Sequence, residues 1–134
     1  RGYHELLFVG DIVNFPQNAI GASAKKIQES PEEVYGMVRG ALRALYFVLE
    51  PTNREEVVNV IVKQWKLTDR RIAIEMLRQF NRGMARDLMA KPEGMQTMVD
   101  LVREDSKVAQ PFTSAQVVDY SFLEKARRDL GAAR

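Results

Sequence analysis

The chain has no cysteine and only one histidine. Disulfides and thiolate metal sites are therefore excluded. His4 has no second histidine and no acidic residue at ligand spacing, so it reads as structural or incidental rather than as a metal ligand or general base. The absence of cysteine suits cytoplasm and periplasm alike. No apolar run approaches the ~18 to 20 residues needed to span a bilayer. The longest, residues 44–49, reads as part of a core helix. No signal peptide is visible. Neither sign of charge dominates: 20 basic against 18 acidic residues leave +2, so the pI near 9.0 reflects a small excess and not a basic run. A glycine-rich phosphate loop, a Ser-His-Asp set and a metal signature are all missing, so the residues imply neither an enzyme nor a cofactor. The paired carboxylates Glu32-Glu33 and Glu55-Glu56 fall at predicted helix N-termini, where the helix dipole accounts for them.

What is present is enough for one folded domain: 134 residues, 46% hydrophobic and 28% charged. Internal repeats, low-complexity segments and linkers are not seen. Residues 5–9 are short, apolar and closed by Gly10-Asp11, the pattern of a buried strand. Residues 17–23 are a second strand candidate, weakened by Gly21. After them the periodicity is helical. Ser30-Pro31-Glu32-Glu33 combines an N-cap, a proline at the first helical position and a capping box. The helix it opens runs to about Glu50. It carries Val34, Val38, Ala41, Leu45 and Val48 on one stripe, widened by Met37, Leu42 and Leu49. Gly36, Gly40 and Ala44 form a small-residue ridge. Each glycine costs roughly 1 kcal/mol against alanine, and close approach by another element is the expected compensation.

Pro51 ends that helix, and Asn53-Arg54-Glu55-Glu56 starts the next, with Asn53 as cap. Thr68-Asp69 caps a third, with the stripe Ala73, Leu77, Phe80, Met84 and Leu88. Pro92 starts a fourth, which reaches about Asp105. Ser114 to Asp119 make one turn, and a capping box at Ser121 and Glu124 opens a last helix that stops at Gly131. Tyr46 and Trp65, among aliphatic residues, read as core. Met76, Met84, Met95 and Met98 read as filling gaps between helices.

The order of these motifs resembles the C-terminal half of substrate-binding proteins of ABC transporters, of the nitrate/sulfonate/taurine type, with thiamin-pyrimidine-precursor binders as relatives. The residues that carry it are Ser30-Pro31-Glu32-Glu33, then Glu50-Pro51-Thr52-Asn53-Arg54-Glu55-Glu56, which is similar to the family's Asn-Pro-Glu-Glu with Glu in place of Asn. Val118-Asp119-Tyr120-Ser121-Phe122-Leu123 and the terminal Leu130-Gly131 complete it. The resemblance implies an α/β, type II periplasmic-binding-protein-like fold. This chain would contribute two N-terminal strands and a mostly helical remainder. Residues 5–23 would hold the second crossover between lobes and residues 24–131 the C-terminal helices. It further implies a solute-binding subunit located in the periplasm or lipid-anchored outside the cytoplasmic membrane. Such a subunit takes a small organic or anionic solute into an inter-lobe cleft, closes by a hinge and delivers it to a membrane permease.

The chain starts at Arg1-Gly2-Tyr3 without methionine and turns at once into Leu6-Leu7-Phe8-Val9, and two strands alone make no stable sheet. We therefore expect a piece of a longer protein, in which case the missing targeting signal carries no information. An unpaired strand edge at residues 5–9 would make the isolated chain self-associate, by strand pairing or by exchange of an element between chains.

Asp11, Asn14, Phe15, Gln17 and Asn18 lie in the crossover, where an amide-and-aromatic cluster suits hydrogen bonding and stacking on a small solute. The plainer reading is a turn, since Asp and Asn bond their own backbone and Pro16 restricts Phe15. Arg71, Arg78, Arg82 and Arg86, with Glu75 among them, line one face of the third helix. They open two alternatives, a nucleic-acid-binding interaction module and a simple solvated face. No aromatic residues are interleaved for base stacking, so nucleic acid is not expected. An enzyme on the same scaffold, like the pyrimidine-precursor synthases, is a further alternative, although none of its reactive residues is seen.

Overall fold

A computed structural model describes residues 6–13, 16 and 18–131. The chain divides into two compact units, residues 1–21 with 89–120, and residues 22–88 with 121–134.

The larger unit contains α1 (Ala24–Glu29), α2 (Pro31–Leu49), α3 (Arg54–Trp65), α4 (Arg70–Gly83) and α7 (Ser121–Asp129). Proline opens α2, and the Glu50 amide closes it on the Tyr46 carbonyl before Pro51 forbids another turn. Buried Leu42 and Leu45 mark the inner face of α2, and α7, which brings Leu123 and Ala126, is its main neighbour. A second cluster joins α3 to α4. Val57 and Val58 meet Ala73 and Leu77 there, with Val48, Ile61, Val62, Leu67 and Ile74 packed around them. α3 stops by a left-handed residue, Lys66 at φ 52°, and the Leu67 amide bonds back to the Val62 carbonyl at 3.0 Å. This closure usually takes glycine, and Lys66 is tolerated because Leu67 lands on the α3–α4 core. α4 begins at the expected cap, with Asp69 accepting from the Arg71 amide at 2.9 Å.

The smaller unit contains a 3-10 turn at Val9–Asp11, α5 (Pro92–Asp105) and the four-residue α6 (Ser114–Val117). No described apolar side chain in it is fully buried. Polar bonds organise it instead. The Gln96 side chain accepts from the Ser114 amide at 2.8 Å and donates to the Phe112 carbonyl at 3.0 Å, which straps the 106–113 loop to α5. The Tyr120 hydroxyl accepts from the Ala90 amide at 3.0 Å. Thr113 and Gln116 form a reciprocal capping box on α6.

Several expectations are overturned. The α/β class with two N-terminal strands does not hold, because the described residues contain no strand. A strand needs a neighbour to take its backbone bonds. At the end of the stretch expected to be the first strand, residues 5–9, the carbonyls of Phe8 and Val9 accept from the amides of Asp11, Ile12 and Val13 at 2.9–3.0 Å. Where the second was expected, Ser23 caps α1 by accepting from the Lys26 amide at 3.1 Å, and residues 18–22 carry no regular structure. Self-association by strand pairing thereby loses its basis. The Ser30 capping box does not form, since Glu33 reaches the Lys26 ammonium at 2.6 Å instead. Asn53 spends its side-chain amide on the Phe47 carbonyl rather than on α3. α4 ends at Gly83, so Met84 and Leu88 are not on its stripe. Met37 is 63% exposed and Trp65 67% exposed, neither in the core. Trp65 is the last residue of α3, where the chain reverses at Lys66.

Candidate functional site

Of the crossover cluster, Asn14, Phe15 and Gln17 lie outside the described residues, as does His4. Asp11 closes the 3-10 turn and is exposed; Asn18 is exposed in the following loop. A small-solute site encloses most of its ligand, and neither residue is enclosed. Around them the segment is apolar and open: Leu6 is 96% and Ile12 73% exposed, and Leu7, Val9, Val13 and Ile20 are exposed as well.

The arginine face of α4 is rearranged relative to expectation. Arg86 lies in a turn past the end of the helix, so the four arginines do not share one helical face. The Arg71 guanidinium donates three bonds to its own cap residue, Asp69, at 2.7, 3.0 and 3.1 Å. Its guanidinium holds the Asp69 carboxyl below the usual range. Arg78 grips Glu75 with two bonds at 2.6 and 2.8 Å, and Gln79 adds a third at 2.9 Å. Arg70, on the other flank, bonds Glu55 and Asn59 of α3. A phosphate backbone draws on unneutralised cations. Here the two most prominent arginines already carry an acidic partner, which leaves little field for nucleic acid.

Beside these pairs α4 carries a shallow, open depression of about 550 Å³, lined by Arg71, Ile72, Glu75, Met76 and Gln79. All five residues lie on one helix. The depression is thus a helix flank with an apolar floor, not a cleft with donors converging from separate elements. The arrangement can hold charge in place but cannot transfer a proton near neutrality. Glu75 is pushed down to about 2, first by the Arg78 guanidinium and then by the Gln79 amide, so it is a carboxylate throughout the working range.

A pH dependence follows. A carboxyl depressed from 4.5 to about 2 favours the folded state fully above 4.5, and that preference is lost as pH falls through about 2. Far-UV circular dichroism should show α4 helicity declining across that window, and Glu75→Gln should flatten that part of the titration. An acid titration unchanged by the substitution would rule out the Arg78–Glu75 pair as its source.

Sequence patterns did not single out a third grouping, which joins α2 to α7. The Tyr35 hydroxyl donates to the Asp129 carboxylate. The Lys125 ammonium sits 3.3 Å from the Tyr35 ring centroid and 3.3 Å from Asp129. The Tyr35 bond, then Lys125, lowers the Asp129 carboxyl. An aromatic and an acid 94 positions apart leave no local signature. The phenol is committed to a carboxylate and the ammonium to both, so the group is a cross-brace and not a reactive set. Among the described residues no group of histidine and carboxylate side chains could hold a metal ion. No described helix is long and apolar enough to cross a membrane.

No family model matches this sequence, and no significant match to a curated protein or to a solved structure was found.

Proposed function

We propose that this chain works as the helical part of a solute-binding subunit of an ABC importer. It would act outside the cytoplasmic membrane and help deliver a small organic or anionic solute to the permease. The observation that carries the reading is where its three motif regions fall. Pro31-Glu32-Glu33 opens α2. Pro51 to Glu56 spans the α2–α3 junction, and Val118-Asp119-Tyr120 leads directly into α7. Motif residues at helix boundaries are constrained by chain geometry, so a shared order of them supports a shared helical layout. The reading rests on these helices alone. It draws nothing from residues 6–23, where the described positions carry no strand. The nucleic-acid alternative is disfavoured by the acidic partners of Arg71 and Arg78.

The test is a thermal-shift and calorimetric screen of the complete product of the reading frame that encodes this chain. Its panel is alkanesulfonates including taurine, nitrate, small carboxylates and pyrimidines. Saturable binding of one class at a stoichiometry of one supports the proposal, because a ligand held only by the native state stabilises it by mass action. No binding to any of the four classes sinks it.

A further inference from the structure

α2 has two faces. The inner one carries Leu42 and Leu45. On the outer one, exposed residues recur at helical spacing: Glu32, Gly36, Gly40 and Arg43, with Met37 and Phe47 beside them. A Cβ built at Gly36 or Gly40 would meet nothing within 4 Å, so the close approach that two helix-weakening glycines call for is not made by the described residues. Two opposite charges on this face are also unused. Glu32 and Arg43 make no ion pair among the described residues, although Lys26, Arg70, Arg71 and Arg78 all have one.

We infer that a second copy of this chain covers the outer face of α2, two α2 helices crossing antiparallel about a two-fold axis. Charge complementarity selects that occupant. The acidic residues lie in the first turn of the helix and Arg43 lies in its second half. A two-fold axis crossing the outer face midway between Gly36 and Gly40 therefore puts Gly36 of one copy opposite Gly40 of the other, and in the same register Arg43 faces the first turn that carries Glu32. The contact is isologous, so the Arg43–Glu32 pair forms twice and the assembly closes at two. A parallel pairing would stack Arg43 on Arg43 and gain neither. Without side chains at the crossing the backbones can come close, and Met37 and Phe47 supply apolar flanks. This inference stands apart from the solute-binding proposal and holds or fails without it.

One helix pair buries less than the roughly 1,200 Å² of a standard interface, so the dimer is concentration-dependent. Sedimentation equilibrium of the 134-residue chain from roughly 10 µM to 1 mM reads it directly. The expected result is a mass rising reversibly from 15.3 kDa toward twice that value. Gly40→Leu, whose Cβ meets nothing within 4 Å in the single chain, should leave the fold at least as stable while weakening association about tenfold or more. Arg43→Glu should weaken it similarly, and adding Glu32→Arg to Arg43→Glu should restore it. Circular dichroism of each variant separates loss of association from loss of folding. A chain that stays monomeric to 1 mM overturns the inference, and so does a dimer indifferent to both Gly40→Leu and Arg43→Glu.

Discussion

Replacing Leu42 with alanine should lower the unfolding free energy by about 2–5 kcal/mol, the range for truncating a fully buried leucine. Leu42 has no solvent exposure, lies midway along α2 and belongs to the face that meets α7. The large unit is small enough that few side chains carry its stability: within the chain only Leu42, Leu45, Val57, Val58, Ala73, Leu77, Leu123 and Ala126 are buried apolar residues among those described. Deleting three carbons at such a site removes their transfer free energy and leaves a void that helices cannot close without shifting. In a chain of this size each kcal/mol moves the melting midpoint by roughly 3–6 °C, so the loss is plain in a thermal scan. Met37→Ala, on the exposed side of the same helix, is the control and should stay within about 0.5 kcal/mol of the parent. Equal losses at the two positions would mean that α2 is not oriented as described.

Gln96→Leu should loosen the smaller unit by about 1–3 kcal/mol, chiefly the cost of leaving the partly buried Ser114 amide without a partner. The substitution roughly conserves side-chain length while removing both ends of the strap. The Ser114 amide loses its acceptor, the Phe112 carbonyl loses its donor, and the bond to Asp100 goes as well. In a unit with a dense apolar core such losses are absorbed. This unit has no fully buried apolar side chain among its described residues, so its loop order depends on these bonds. Amide hydrogen exchange is the direct readout. Residues 106–118 should exchange faster, while the α3 amides, in the other cooperative unit, keep their protection. Unchanged protection at Ser114 would show that the strap is not what orders the loop.

The fully buried α2 residue was within reach of sequence reasoning, and the strap was not. Leu42 belongs to a heptad-like stripe that periodicity exposes, although the same periodicity wrongly added Met37, which sits at the edge of the apolar arc and turns outward. Gln96 is one polar residue on a helix. Its partners lie 16 and 18 positions away in a loop, and only folding brings them to it. The candidate site divides in the same manner. Arg71, Arg78 and Arg82 on one helix follow from spacing. That Arg71 and Arg78 are neutralised by Asp69 and Glu75 depends on rotamers that a charge count does not see.

Taken alone, the amino-acid order determined where most helices begin and end. Pro31, Asp69, Pro92 and Gly131 act within one turn of backbone, through a fixed φ, a missing N–H, a capping carboxylate or access to positive φ, and each stands where expected. Tertiary structure decided the fate of the described residues between 6 and 23, the exposure of Trp65, the early end of α4 and the open ridge on α2. These depend on which surfaces find a neighbour. An apolar run becomes a strand only if another backbone pairs with it, and a helix face becomes core only if another element covers it.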